Sequence, residues 1–135
     1  MPRRLEGKVA CITGAGSGLG RSIAQRFALE GATVVAQDVS VETASETIEL
    51  LPDGAHLVVG GDVADPDAVS TLFALIAEKF GRIDVQVNNA GVGHLPGDGF
   101  DEMRAGDGPQ ISLMSFGAFT QMLSIHVGGT FLCTQ

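Results

Sequence analysis

Short apolar runs alternate with segments of helical period along most of the chain, and this alternation constrains the fold more than any other feature. The apolar runs are typical of strands buried on both faces of a sheet, and they cover residues 8–13, 33–38, 56–60 and 83–87. The intervening residues 19–30, 41–51 and 66–80 carry apolar side chains at helical spacing. Strands joined by helices of this length form a parallel sheet with right-handed crossovers. We therefore predict an α/β domain built on a parallel sheet.

The remaining third of the chain has a different pattern. Glycine and proline recur through residues 92–112, which predicts a glycine-rich loop of unusual length beside the sheet. A last helix is expected to begin near Leu113 and to continue to the end of the sequence. All 135 residues are expected to belong to one domain.

Charge and cysteine content exclude several classes of protein. The formal net charge of −8 argues against binding to nucleic acid or to an anionic membrane surface. No apolar run approaches the roughly 18 residues of a membrane span, and the basic start of the chain is broken by Glu6 and does not resemble a secretory signal. Cys11 and Cys133 lie far apart in apolar runs, as buried free thiols do in a reducing compartment. We expect a cytoplasmic protein, and the spacing of its three histidines predicts no metal site.

A glycine-rich turn lies between the first predicted strand and the first predicted helix. Its spacing is G-x-x-x-G-x-G. Glycines let the backbone approach a cofactor closely, and the helix N-terminus offers free N–H groups and partial positive charge to a pyrophosphate. The alternative is a turn that merely joins a strand to a helix, but its position favours a dinucleotide site. The predicted contacts in this turn are Gly14, Ser17, Gly18, Leu19 and Gly20.

Asp38 ends the second predicted strand, where a carboxylate can accept hydrogen bonds from both hydroxyls of an adenosine ribose. The same carboxylate would repel a 2′-phosphate, and residues 14–20 and 37–41 contain no lysine or arginine to attract one. The predicted cofactor is therefore NAD rather than NADP. Alternatively, Asp38 only caps the helix that begins near Ser40.

Four motifs follow one another along the chain: the turn T-G-A-G-S-G-L-G, Asp38, the step G-D-V at 61–63 and the sequence N-N-A-G at 88–91. Together they resemble the short-chain dehydrogenase/reductase family, whose fold is of the Rossmann type. The resemblance implies a three-layer, doubly wound α/β domain with strand order 3-2-1-4, incomplete at its C-terminal side. The resemblance implies that Asp62 contacts the adenine amino group and that Val63 flanks the ring. It also implies that Asn88, Ala90 and Gly91 lie beneath the adenosine and its ribose. A strand-ending turn that uses asparagine side chains to satisfy its own backbone is the alternative for these last residues, and the two roles are compatible.

The chain departs from the family pattern in two places. His126 stands where the family usually has an asparagine that helps to hold a water in the catalytic proton relay, so His126 is the candidate catalytic residue. A histidine packed there without a relay role is the alternative. The interval from Gly91 to His126 is also longer than is usual in the family, and the surplus is the glycine-rich loop. We expect this loop to shape the substrate pocket and His94 within it to be solvated.

The family's serine and its Tyr-x-x-x-Lys pair follow the last motif found here, and these 135 residues contain no tyrosine. The resemblance implies an oxidoreductase that transfers a hydride between NAD and a small-molecule carbonyl or secondary alcohol. The full-length parent is expected to be a homo-oligomer, and residues 1–135 alone are expected to show no turnover. A non-catalytic nucleotide-binding or regulatory chain that uses the same turn is the alternative function.

Overall fold

The computed structural model describes residues 3–135, so Met1 and Pro2 at the basic start of the chain lie outside the described residues. Four parallel strands form one sheet in the order β3-β2-β1-β4. Their bounds are Val9–Thr13 for β1, Thr33–Asp38 for β2, Leu57–Gly60 for β3 and Val85–Val87 for β4. The predicted fold class and strand order are confirmed.

Three helices connect these strands, and their ends follow from local sequence. They are α1 (Gly18–Leu29), α2 (Val41–Glu49) and α3 (Pro66–Phe80). The Ser40 hydroxyl accepts a hydrogen bond from the N–H of Thr43 at the start of α2. Gly81 follows the last residue of α3 and has φ 69°, a left-handed conformation that glycine adopts without strain.

The sheet is buried on both faces because successive residues of β1 point to opposite sides. Ala10 and Ile12 pack with Val34 of β2 beneath α1 and α2. Val9 and Cys11 pack on the other face against Leu72 and Ile76 of α3. Cys11 and Cys133 are both free and buried, and burial raises the pKa of the Cys11 thiol to about 12. The layered core therefore fixes the strand ends that surround the candidate site.

The predicted loop at 92–112 needs correction, because it contains two short helices, α4 (Phe100–Ala105) and α5 (Gln110–Leu113). Gly99 and Gly106 flank α4 in left-handed conformations, with φ 77° and 92°. Two of the glycines that suggested an irregular loop therefore mark the ends of a helix instead.

The last helix begins at Phe116, later than predicted, because Ser115 is its N-cap and accepts a hydrogen bond from the N–H of Ala118. It comprises α6 (Phe116–Leu123), a wider π-helical turn over Ser124–Gly128 and α7 (Gly129–Thr134). A single turn of π-helix is rare in proteins overall, and where it occurs it is often at a functional site. No helix within residues 3–135 is long and apolar enough to cross a membrane.

Candidate functional site

An open cleft of about 530 Å³ lies at the carboxyl ends of the strands, where doubly wound folds bind ligands. Nine of the eleven cofactor contacts predicted from the sequence line it: Gly14, Ser17, Gly18, Leu19, Asp38, Asp62, Val63, Ala90 and Gly91. Other lining residues include Gln37, Asn89, Val92, Leu95, Gln121 and Ile125. The topology thus brings together residues that are far apart in the sequence.

The glycines of the turn differ in what surrounds them. A Cβ on Gly20 would lie 2.1 Å from the carbonyl oxygen of Gly14, and a Cβ on Gly14 would lie 2.9 Å from the Cα of Ala90. Gly18 has φ 52°, yet a Cβ there would meet nothing within 4 Å. Gly14 and Gly20 are therefore required for packing within the protein, whereas Gly18 borders open space in the cleft.

The N-terminus of α1 faces this space without a side-chain cap. Ser17 is the N-cap residue, but its side chain makes no capping hydrogen bond. The first N–H groups of a helix have no partner within the helix, and together with the macrodipole they favour an anion. The arrangement suits a pyrophosphate beside Gly18.

The Asp38 carboxylate is held at the edge of the cleft by two backbone donors. Its Oδ2 accepts from the N–H of Gly16 at 2.9 Å, and its Oδ1 accepts from the N–H of Ser40 at 3.0 Å. Ser40, and not Asp38, is the N-cap of α2, although Asp38 does stabilise the turn that leads into this helix. Each carboxylate oxygen retains a second acceptor position, so the group can still receive hydroxyl donors.

At the end of the cleft near β3, Val63 is buried and packs against Gly129 of α7. The Asp62 side chain is exposed to the cleft, and its Oδ1 accepts from the N–H of Ala64. Nearby, Gln37 is buried and donates through Nε2 to the carbonyl of Gly61, but its Oε1 has no hydrogen-bond partner among the described residues. A buried acceptor without a partner destabilises the folded state.

Thr13 was part of the recognised turn, but its structural role was not anticipated from the sequence. Its hydroxyl accepts from the N–H of Asn89 at 3.0 Å and from the N–H of Ala90 at 2.9 Å. The Asn89 side chain in turn donates to the carbonyls of Thr13 and Gly14. These bonds join the turn after β4 to the glycine-rich turn, and a polar residue at the end of β1 was the only signal for them.

Two predicted contacts lie outside the cleft. Gly20 supports the turn from behind, against Gly14. Asn88 points to a separate groove along β4, where its Nδ2 donates to the Thr134 hydroxyl at 3.0 Å. The next residue, Asn89, is the asparagine that lines the cleft.

The His126 ring lies in the π-turn and packs over Gly91. Its Nε2 is 2.9 Å from the carbonyl oxygen of Val92 and 3.1 Å from the backbone nitrogen of Val92. A single ring nitrogen donates to the carbonyl when it carries a proton and accepts from the N–H when it does not. A Cβ on Gly91 would come within 2.5 Å of the ring, so glycine at 91 and histidine at 126 fit together.

The far end of the cleft is bordered by the segment 92–115, organised around Asp98. This buried carboxylate accepts from the N–H groups of Leu95 and Phe100 at 3.0 and 2.9 Å. These donors hold the pKa of Asp98 below its usual range, with a smaller contribution from His94. His94 itself is mostly exposed, as expected, and packs against the Phe100 ring in a tilted arrangement with centroids 4.1 Å apart. No group of three or more possible metal ligands occurs among residues 3–135.

Comparison with known proteins places this architecture in a family. The short chain dehydrogenase family matches residues 8–135. The chain is 38% identical over 134 residues to D-threitol dehydrogenase from Mycolicibacterium smegmatis, covering 98% of this chain and 46% of that protein. It is 47% identical over 94 residues to meso-2,3-butanediol dehydrogenase from Serratia marcescens, covering 70% and 37%.

Solved structures agree. The 3-ketoacyl-(acyl-carrier-protein) reductase from Brucella melitensis, crystallised with NADH, superposes with a TM-score of 0.80 at 37% identity, covering 96% of this chain and 48% of that one. The chain therefore belongs to the short-chain dehydrogenase family and spans less than half the length of these relatives.

Proposed function

We propose that these residues form the cofactor-binding part of an NAD-dependent oxidoreductase that interconverts a small-molecule secondary alcohol and its carbonyl compound. The observation that carries the proposal is the Asp38 carboxylate, fixed at the rim of the cleft by Gly16 and Ser40 while its outer acceptor positions stay accessible. When bound, the nicotinamide cofactor accepts or delivers the hydride. The residues that line the cleft bind and orient this cofactor.

In this proposal, different residues of the cleft bind different parts of the cofactor. The uncapped start of α1 beside Gly18 holds the pyrophosphate, and Asp38 receives the ribose hydroxyls. Asp62 contacts the adenine amino group, and Val63 flanks the adenine ring. Ala90 and Gly91 form the floor on which the ribose rests.

Cofactor choice provides the first test. In the purified protein we expect NADH to bind at least about tenfold more tightly than NADPH, since a fixed carboxylate repels a 2′-phosphate. Asp38→Ala is expected to reduce this difference in affinity, chiefly by weakening the binding of NADH. Fluorescence titration with both nucleotides measures it, and Asp53→Ala, at an exposed acid in the turn after α2, is the control. Equal affinities in the unchanged protein would contradict the assignment to NAD.

For His126 we propose a positioning role that serves the family's proton relay. With Nε2 engaged by the Val92 backbone, the ring holds the Gly91–Val92 turn against the π-turn. His126→Asn is expected to retain most of the activity, because the asparagine amide can still hydrogen-bond to the backbone. His126→Phe is expected to lose activity. Unchanged activity in His126→Phe would show that the imidazole contributes nothing beyond packing.

A non-catalytic nucleotide-binding role makes the opposite prediction for turnover. Reduction of NAD by any of a panel of simple secondary alcohols favours the oxidoreductase, whereas NADH binding without turnover in the full-length protein favours the alternative. Since tyrosine is absent from these residues, residues 1–135 expressed alone are expected to bind NAD weakly and to show no turnover. We further propose a cytoplasmic location and a homo-oligomeric full-length protein.

A further inference from the structure

Arg21 makes an extensive set of polar contacts near the cleft without lining it. It lies near the N-terminus of α1, where the positive end of the helix macrodipole opposes a cation. Its side chain is nevertheless largely covered, being 29% exposed, and it folds over the start of α2. Helix stability therefore does not account for an arginine at this position.

The guanidinium group joins α1 to three successive parts of α2. Its Nε donates to the Thr47 hydroxyl at 2.9 Å. Its Nη2 donates to the Glu46 carboxylate at 3.0 Å and to the Thr43 carbonyl at 3.3 Å. Because Glu46 balances the charge, the group offers no free cation to a 2′-phosphate.

The same Nη2 also donates to the carbonyl of Gly16 at 2.6 Å. Gly16 is therefore held from both sides, since its N–H donates to Asp38 Oδ2. The fit is close: a Cβ on Gly16 would lie 2.2 Å from the Thr43 hydroxyl oxygen and 2.8 Å from Asp38 Oδ2. The position of the Asp38 carboxylate thus depends on where the Gly16 backbone is held.

Thr47 reinforces this arrangement from within the core. It is fully buried, and its hydroxyl donates to the carbonyl of Ala15 at 2.8 Å while it accepts from Arg21. Two consecutive turn residues, Ala15 and Gly16, are in this way tied to α2. Of these two residues, Arg21 binds Gly16, whose N–H donates to the Asp38 carboxylate.

We propose that Arg21 is a positioning residue for cofactor selectivity: by holding the Gly16 backbone against α2, it fixes the Asp38 carboxylate in the orientation that receives the two ribose hydroxyls. This inference rests on the proposed function, because it requires Asp38 to bind the ribose. Preorganised groups bind more tightly since they lose less freedom on binding. Loss of Arg21 therefore weakens the contact that distinguishes NAD from NADP.

The test combines Arg21→Met with Asp38→Ala in a double-mutant cycle on the purified protein, with NADH and NADPH titrated by fluorescence. Methionine keeps an unbranched apolar stem and removes every donor. Arg21→Met is expected to lower the affinity for NADH about fivefold to tenfold and to change the affinity for NADPH by less than about twofold. In the Asp38→Ala background the same change is expected to have almost no effect, because the two residues act through one contact. Arg26→Met, at an exposed arginine of the same helix that pairs with Glu30, is the matched control and should leave both affinities unchanged.

The outcomes separate the two proposals. If the unchanged protein binds no NADH, the proposed function is wrong and this inference with it. If it binds NADH but Arg21→Met changes neither affinity, or weakens both nucleotides equally and additively with Asp38→Ala, only the inference is overturned. Should Arg21→Met not fold, Arg21→Lys replaces it, since lysine keeps the charge beside Glu46 but lacks the planar fork. A preference for NADH that stays unchanged in Arg21→Lys would then overturn the inference.

Discussion

The two ends of the cleft are built differently. At the end that we propose binds the adenosine (the adenosine end), Ala15 and Gly16 are buried and hydrogen-bonded to β2 and α2. At the far end, neither α4 nor α5 contains a buried residue, and the helix that follows exposes Phe116 and Phe131 by 79% and 63%. The adenosine end is therefore part of the core, whereas the hydrogen bonds of the segment 92–115 lie mostly within the segment itself. Substitutions of closely packed residues at the first end should affect stability and cofactor binding together, and substitutions at the second should act locally.

The largest effect is expected for Gly20→Ala. A methyl group there would lie 2.1 Å from the Gly14 carbonyl oxygen and 2.7 Å from the Asn89 amide nitrogen, so the turn must shift. We expect a loss of about 3 kcal/mol in the free energy of unfolding, measured by urea denaturation, together with loss of NADH binding.

Gly18→Val separates binding from stability at the same turn. Its side chain would enter the open space beside the start of α1, with backbone strain of about 1–3 kcal/mol at φ 52°. We expect NADH binding to be lost while the protein still folds cooperatively. Unchanged NADH affinity in Gly18→Val would show that this turn is not the pyrophosphate site.

Thr13→Val tests the junction between the two turns. Valine has the shape of threonine but lacks the oxygen that accepts from Asn89 and Ala90, so two N–H groups would be left without this acceptor. We expect a loss of about 2–3 kcal/mol in urea denaturation and weaker NADH binding. Thr13→Ser, which keeps the hydroxyl, is the control and should retain most of the binding. A Thr13→Val variant as stable as the unchanged protein would contradict this role.

The same contrast explains what could be predicted from the sequence. Around the sheet, periodicity and helix-end signals agree, so the order of strands and most cleft residues followed from residues such as Asp38 and Gly14. The contacts of Thr13 and Arg21 did not, because both depend on which side chains the crossovers bring together. At the far end, Gly99 and Gly106 signalled breaks without showing that the breaks enclose a helix. Asn88 and Asn89 could not be told apart, since only the direction of each side chain after β4 decides which one faces the cleft.

A smaller and local effect is expected for Asp98 at the far end. Its folded-state pKa lies below the usual value because the N–H groups of Phe100 and Leu95 donate to the carboxylate. Its contribution is therefore fully present above about pH 4, the ordinary aspartate value, and is lost as the pH falls through the lower folded-state pKa. Limited proteolysis of the segment 92–115 with an acid-active protease should accelerate across this range while the sheet stays folded.

Asp98→Asn is the matched variant for this pH dependence. An amide oxygen can accept only part of what the carboxylate accepts and does not titrate in this range. We expect faster proteolysis of the segment in this variant at pH 7 and little further change on acidification. A pH dependence equal to that of the unchanged protein would assign the effect to another group.

The smallest effect, and the only favourable one, is expected for Gly117→Ala. Gly117 is the second residue of α6, and Gly20 is the third residue of α1. Gly117→Ala and Gly20→Ala therefore make the same change near the start of two helices at opposite ends of the cleft. A Cβ on Gly117 would meet only the Ser115 hydroxyl oxygen, at 4.0 Å, which is ordinary contact. Alanine also loses less conformational entropy than glycine on folding, which favours the variant by about 0.5 kcal/mol. Urea denaturation should show this small gain with NADH affinity unchanged. A destabilised Gly117→Ala with weaker NADH binding would mean that the far end is coupled to the adenosine end, and the contrast between them would then fail.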